Sequence, residues 1–239
     1  MKQADYLTLS GSGEPTLHAE FGRILAFLGD PPIPSVLLTN GTLLNLPEVR
    51  EAAALAQVVK ISLSAWDQKS FEWVNRPHRG LAFESFFDGL KQFRNGYNGQ
   101  LWLEVFLLAG INAMTKDVEK IALLARQLKP DRIHLNTIAR PAAEDFVAAV
   151  SMSQMEALTG LFDPPARIAT LFSSECSKTI KANEETILAM LKCRPCTFKQ
   201  IQTAFAMHIN EVSKYLGVLM AKEQIHADSR NQEVYYRSI

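Results

Sequence analysis

Asp5-Tyr6-Leu7-Thr8-Leu9-Ser10-Gly11-Ser12-Gly13-Glu14-Pro15-Thr16-Leu17-His18 decides how the rest of the chain reads. From Tyr6 to Leu9 apolar and polar residues alternate, and the run stops at Gly11, which suits a short strand. A Gly-rich turn follows. The spacing of Leu17, Phe21, Ile24, Leu25 and Leu28 then predicts a helix over 16–28. Such a strand-turn-helix unit puts backbone N–H groups at the carboxyl edge of a sheet, where α/β proteins bind ligands.

The same rhythm continues. Strands are predicted over 35–39, 58–64, 101–108 and 132–136, and helices over 46–56, 68–74, 82–93 and 118–128. Asp30-Pro31-Pro32-Ile33-Pro34 cannot continue a helix and serves as a connection, whereas Pro47 suits a first helical turn. Alternating βα units predict a parallel sheet with right-handed crossovers. The loops at 11–14, 40–42, 64–67, 110–112 and 137–141 then meet at one sheet edge, where a site is expected. Phe71, Trp73 and Phe83 read as core.

After Pro141 the pattern changes. A short helix over 153–162 is broken by Asp163-Pro164-Pro165, and 166–182 reads as a linker. The second module, 183–239, holds helices over 184–191, 198–205 and 211–221, with Thr197 as an N-cap. Strand candidates over 224–227 and 233–237 follow, joined at Ser229-Arg230-Asn231-Gln232. Three helices and a hairpin make a winged helix-turn-helix, the third helix being the recognition element and the hairpin the wing. The expected division is therefore 1–165, 166–182 and 183–239.

Composition narrows the classes. The chain has 239 residues, 47% of them hydrophobic, with 25 Lys+Arg against 25 Asp+Glu. Zero net charge gives no general bias toward nucleic acid or an anionic membrane. No apolar run approaches the roughly 18–20 residues of a membrane span, and no basic flank precedes an apolar run as in a secretory signal. Cys176, Cys193 and Cys196 are few and odd in number, so no disulfide framework is expected and the cytoplasm is the expected compartment. Cys193-Arg194-Pro195-Cys196 has a metal-ligand spacing but no second pair nearby, and it reads as structural. From Glu184 to the end, seven Lys/Arg stand against six Asp/Glu. Lys199, His208, Asn210, Lys214, Arg230 and Arg237 supply a modest basic face, which leaves nucleic-acid binding and a protein-contact role both open.

Five stretches taken in order carry a family resemblance: Ser10-Gly11-Ser12-Gly13-Glu14-Pro15-Thr16; Leu37-Leu38-Thr39-Asn40-Gly41; Ile61-Ser62-Leu63-Ser64-Ala65-Trp66-Asp67 with Asn75-Arg76-Pro77-His78; Leu103-Glu104-Val105-Phe106-Leu107-Leu108-Ala109-Gly110-Ile111-Asn112; and His134-Leu135-Asn136 to Arg140-Pro141. Together they resemble the radical S-adenosylmethionine (radical SAM) superfamily. The first is similar to its Gly-Gly-Glu-Pro motif after the second barrel strand. The branch with a C-terminal winged helix, distantly similar to the radical SAM enzymes of tRNA wyosine synthesis, fits nearly the whole chain.

The resemblance implies an α/β fold: a partial (β/α)6 radical SAM-type barrel. It also implies a SAM site. The backbone at Gly11, Ser12, Gly13 and Glu14 would hold the methionine amino group. Ser62, Ser64 and Asp67 would face its carboxylate or the ribose hydroxyls, Glu104 a ligand hydrogen bond, and Asn136 the adenine. The residues read alone leave other roles open. Glu14 is a cap for the next helix; Ser62, Ser64 and Asp67 suit strand ends and N-caps. Glu104, costly to bury unpaired, is a partner for Arg132 or Arg140. Asn40 is a turn former. Arg76 and His78 either contact substrate or lie on the surface.

One element is missing. Radical SAM chemistry uses a [4Fe-4S] cluster on a Cys-x3-Cys-x2-Cys motif to cleave SAM reductively to a 5′-deoxyadenosyl radical. No cysteine precedes Cys176. The expectation is an N-terminally truncated chain without the first βα unit or the cluster motif, inactive alone, so its standing as an enzyme is open. The alternative is a non-catalytic winged-helix nucleic-acid-binding or regulatory protein with a vestigial barrel. Loss of a βα unit also predicts an exposed edge at 6–9 and a homodimer through it. The substrate is unknown from sequence.

Overall fold

The computed structural model describes residues 4–29, 33–138, 148–169, 183–193, 195–205, 207–230 and 233–239, without the side chains of Cys193, Thr203, Arg230 and Glu233. Arg140, Pro141, Cys176 and Arg194 lie outside the described residues. These residues fall into two compact units, one ending at Ala169 and one holding everything from Asn183 onward.

The first unit is a six-stranded parallel sheet in sequential order: β1 (Leu7–Leu9), β2 (Ser35–Thr39), β3 (Val58–Ser62), β4 (Gln100–Phe106), β5 (Arg132–Asn136) and β6 (Arg167–Ile168). The helices between strands are α1 (Phe21–Leu28), α2 (Pro47–Ala53), α3 (Gln68–Asn75), α4 (Phe83–Gly96), α5 (Thr115–Leu128) and α6 (Met152–Thr159). The expected alternation holds, with two differences. The helix expected over 16–28 is split: a 3-10 turn at Pro15–Leu17 ends where His18 turns extended (ψ 121°), and α1 starts only at Phe21. Pro15 sets the first turn and Glu14 caps it, which makes it a unit of its own. In addition, β6 pairs with β5 inside the stretch expected as linker. Two residues are too short a run to show periodicity.

Strand alternation splits the sheet into two faces. Leu37, Val59, Ile61, Leu101, Leu103, Val105 and Leu135 are fully buried on one of them. They join one core with Phe21 and Leu25 of α1, Ala53 of α2, Phe71 of α3 and the helical stripes of α4 and α5. On α4 the stripe is Phe83, Phe86, Phe87, Leu90 and Phe93; on α5 it is Val118, Ile121, Ala122, Ala125 and Leu128. Phe71 stacks on Phe86 at 5.0 Å. Trp73, expected in the core, is instead 63% exposed. Two residues on from Phe71 it stands about 200° around α3, on the opposite side.

The other sheet face is concave. Tyr6, just before β1, has its ring 5.6 Å from that of Trp102 in β4. Three strand spacings would hold these backbones about 14 Å apart in a flat sheet, so the sheet curls toward this side.

The second unit has its own core of Ile187, Leu191, Cys196, Ile201, Phe205, Val212, Leu216, Leu219 and Ile225. It is built from α7 (Glu184–Cys193), β7 (Cys196–Thr197), α8 (Phe198–Phe205), α9 (Ile209–Ala221), β8 (Ile225–Arg230) and β9 (Glu233–Ser238). The three strands form an antiparallel sheet in the order β7-β9-β8. Thr197 caps α8 as expected, accepting from the Gln200 amide at 3.3 Å and donating its own amide to the Gln200 carbonyl oxygen of the side chain at 3.0 Å. His208 and Glu211 cap α9 in the same reciprocal way.

Candidate functional site

The parallel topology brings the carboxyl ends of β1 to β5 to one edge, where the predicted loops at 11–14, 40–42, 64–67 and 110–112 meet; of the loop at 137–141 only Thr137 and Ile138 are described. The first is Ser10-Gly11-Ser12-Gly13, exposed throughout. The backbone of Gly11, Ser12 and Gly13 makes no hydrogen bond to other described residues. A Cβ added at Gly13 would meet nothing within 4 Å.

Glu14, next in line, is fully engaged. One carboxylate oxygen accepts from the Thr16 amide at 3.1 Å, the Thr16 hydroxyl at 2.7 Å and the Thr39 hydroxyl at 2.5 Å. The other accepts from the Asn40 amide at 2.7 Å. Glu14 therefore caps its own 3-10 turn and pins the turn after β1 to the end of β2. Thr39 in turn accepts from the Gly41 amide at 3.0 Å. Gly41 sits at φ 77°, the left-handed region, where an added Cβ would approach Ile61 to 2.8 Å. Asn40 forms the turn, its side-chain oxygen accepting from the Thr42 amide and hydroxyl at 2.9 and 2.8 Å.

Ser64 and Asp67 hold the loop after β3. Ser64 is buried, and its hydroxyl accepts from the Phe106 amide at 2.9 Å. Asp67 caps α3, accepting from the Ser70 amide at 2.7 Å, while Ser70 bonds back to the Asp67 amide at 3.0 Å. Partial burial pushes the Asp67 carboxyl up, but the Ser70 amide and hydroxyl and the nearby Lys120 outweigh it and hold it below its ordinary range. Sequence reasoning passed over Asn112 as a residue. It is completely buried and joins the loops after β3 and β4, accepting from the Leu108 amide at 2.7 Å and donating to the Ser64 and Phe106 carbonyls at 2.9 Å each. Asn136 turns onto the neighbouring Thr137 amide at 2.9 Å.

Ser62, Glu104 and Asn136 share the concave face. The register aligns Ser62, Glu104 and His134 across β3, β4 and β5, with Lys60, Trp102 and Arg132 in the row below and Phe106 with Asn136 in the row above. Among the described residues the structural partner of Glu104 is Lys60, at 2.5 Å; of the two partners expected, Arg132 is engaged elsewhere and Arg140 lies outside the described residues. Arg132 is held over the Trp102 ring, 4.7 Å from its centre. His134 packs edge-on to the same ring at 5.7 Å. Burial, then the charges of Lys60, Arg132 and Arg167, opposed only by Glu104, hold its imidazole below its ordinary pKa. Lys60, Trp102 and His134 had no role in the sequence reading. The period-two alternation that buries their neighbours is the signal that finds them.

Arg76 and His78 are both exposed, and Arg76 ends α3 in the left-handed conformation at φ 46°. In the second unit His208 serves as a helix cap, and Arg237 lies 3.2 Å from Asp228. Lys199, Asn210 and Lys214 are exposed.

SAM offers an ammonium, a carboxylate, a ribose diol and an adenine. The Gly11–Gly13 turn, its backbone unbonded among the described residues and open around Gly13, fits such a ligand. A [4Fe-4S] cluster finds no comparable fit among the described residues. Among the described residues no group of three or more His, Cys, Asp or Glu converges, and Cys196 is buried in the core of the second unit.

No family model matches the chain. A protein of Brachyspira hyodysenteriae named GTPase Obg is 30% identical over 240 residues, which is 98% of this chain and 35% of that protein. This chain contains no Gly-Lys pair, so it has no phosphate-cradling GxxxxGK[ST] loop of its own. The UPF0026 protein of Methanocaldococcus jannaschii is 28% identical over 199 residues, 81% of this chain and 62% of that protein. A UPF0026 protein of Helicobacter pylori is 29% identical over 230 residues, 92% of this chain and 71% of that protein. The chain thus spans about a third and under two thirds of the first two relatives. Among solved structures, a domain of pyruvate-formate lyase-activating enzyme from Bacteroides vulgatus superposes with a TM-score of 0.55 at 21% identity, covering 69% of this chain and 98% of that one. A radical SAM methyltransferase from Sphaerobacter thermophilus gives 0.55 at 17% identity, covering 70% and 51%. Archaeal TYW1 gives 0.51 at 20%, covering 68% and 50%.

Proposed function

We propose that this chain, which has the fold of the radical SAM enzymes, binds S-adenosylmethionine along the carboxyl edge of its parallel sheet. One observation carries the reading most. Among the described residues the exposed glycine turn at Gly11–Gly13 leaves its backbone unpaired at the edge that holds the carboxyl ends of the strands, in a sheet with this fold. Backbone carbonyls there accept the methionine ammonium. Ser62, Glu104 and Asn136 face the concave side and meet the rest of the ligand. Glu14, Ser64 and Asp67 act as positioning residues, because their hydrogen bonds are made to the loops themselves.

When a reducing [4Fe-4S] cluster is bound elsewhere in a radical SAM protein, it supplies the electron that cleaves SAM. Among the described residues no set of three cysteines converges to hold that cluster. What this chain's residues do is bind and orient: the glycine turn accepts the ammonium, and the curled sheet walls the ligand from one side. Calorimetric titration of the chain with SAM tests the reading. One site per chain supports it, and absence of heat at high concentration opposes it.

The second unit has a specific feature of its own. Its three helices and antiparallel hairpin have the make-up of a winged helix-turn-helix, with α9 as recognition helix and β8–β9 as wing. We read it as a contact module for nucleic acid or protein. Arg237, tied to Asp228 at 3.2 Å, weakens the basic face expected of a dedicated DNA reader. Mobility-shift titration at two salt concentrations separates the two, since phosphate contacts make binding steeply salt-dependent.

A further inference from the structure

Among the described residues the concave face carries more positive charge than it neutralises. Lys60, Trp102 and Arg132 form one row across β3 to β5, and Ser62, Glu104, His134 and Arg167 the next, across β3 to β6. Glu104 is the one carboxylate in these two rows, and Lys60 takes it at 2.5 Å. Arg132 and Arg167 form no ion pair among the described residues. Both are exposed. His134 stands within the field of all three cations, and its Nδ1 is buried with no hydrogen-bond partner among the described residues. Arg132, stacked 4.7 Å over Trp102, has its planar guanidinium already oriented. A guanidinium fixed in this way presents its N–H edge to a planar or tetrahedral oxyanion at little further entropic cost.

We propose that this part of the concave face binds an anionic group of the substrate, a phosphate or a carboxylate, held by Arg132 and Arg167 beside His134. Arg132 and Arg167 stand on β5 and β6, four and five strands across the sheet from the glycine turn after β1, so the anion site uses side chains that the SAM site does not. The inference rests on reading this face as the ligand-binding one. It names the substrate class that the loops leave open: a molecule with at least one oxyanion.

The experiment follows the ring signals of His134 by proton–carbon correlation spectroscopy in the full chain, assigned by their loss in His134→Gln. Inorganic phosphate is titrated at constant ionic strength, with malonate in a parallel series. Saturable movement of the His134 signals is expected with at least one of the two anions. Phosphate alone assigns a phosphate group; saturation by malonate assigns a carboxylate. The exposed double change Arg132→Gln with Arg167→Gln should weaken the apparent affinity roughly tenfold or more, and Arg132→Lys should restore part of it. Linear drift with both anions, or equal affinity in the double variant, overturns the inference. SAM calorimetry on the unmodified chain reads the other proposal separately. Phosphate binding without SAM binding leaves the anion site standing and removes the SAM reading; the reverse result removes the anion site alone.

Discussion

The Glu14 carboxylate accepts a hydrogen bond from the Thr39 hydroxyl at 2.5 Å, and this contact ties the turn after β1 to the end of β2. The most recognisable acidic residue of the chain is thus a brace. Its other donors, the Thr16 amide and hydroxyl and the Asn40 amide, come from the same two loops.

Removing that brace should cost stability. Glu14→Ala strands the hydroxyl of Thr39, which is nearly fully buried, and two backbone amides. A loss of about 1–3 kcal/mol is expected in urea unfolding, at the scale of an unsatisfied buried donor. Glu14→Gln keeps one acceptor oxygen and should lose about half as much. An unchanged midpoint in Glu14→Ala would show that the brace contributes nothing.

Two glycines near the site should answer very differently to the same change. Gly41→Ala forces a Cβ to 2.8 Å from Ile61 and 2.9 Å from Leu90 at a left-handed φ of 77°. It should destabilise by about 2–4 kcal/mol, combining overpacking with backbone strain. Gly13→Ala, with open space around the new methyl, should stay within about 0.5 kcal/mol of the parent. Thermal melts of the two variants side by side check the contrast.

His134 gives a pH dependence whose sign is fixed. Its folded pKa lies below its ordinary value, so the unfolded chain takes the proton first as pH falls. The neutral imidazole thus contributes stability that is full above about pH 6.5 and is lost as pH drops through the folded pKa. Urea midpoints at pH 7.5 and 5.5 should differ more in the parent than in His134→Gln. Equal differences would show that His134 is not the group responsible.

The alternation of strands and helices was legible in the sequence because each element buries one periodic face. Leu101, Leu103 and Val105 on β4, and Phe83, Phe86, Phe87 and Leu90 on α4, are spaced for it. The concave face was less legible. Glu104 stood out as a carboxylate in an apolar strand, but its partner Lys60 lies 44 residues away, and only strand register puts the two together. Asn112 is hidden in part for the same reason: one of its three bonds reaches Ser64, 48 residues away. Trp73 reads as core beside Phe71, yet an offset of two residues puts it across the helix and into solvent. The break at His18 and the two-residue β6 are set by capping and by pairing with β5, neither of which leaves a periodic trace.

The cysteines yield a prediction about chemistry. Cys196 is sealed in the second core, and the sequence holds no Cys-x3-Cys-x2-Cys. Anaerobic reconstitution with iron and sulfide, followed by dithionite and SAM, should give no 5′-deoxyadenosine above a protein-free control. Turnover from this chain would show that it assembles a cluster by some other set of ligands.

The most direct measurement is calorimetric SAM binding to the parent and to Gly13→Val. The new side chain meets no protein atom within 4 Å at its Cβ, so the fold should be unaffected, while it stands on the turn proposed to take the ligand's ammonium end. The account predicts saturable one-to-one binding by the parent and a loss of roughly tenfold or more in the variant at an unchanged melting temperature. No binding by the parent, or equal affinity in both proteins, would contradict it.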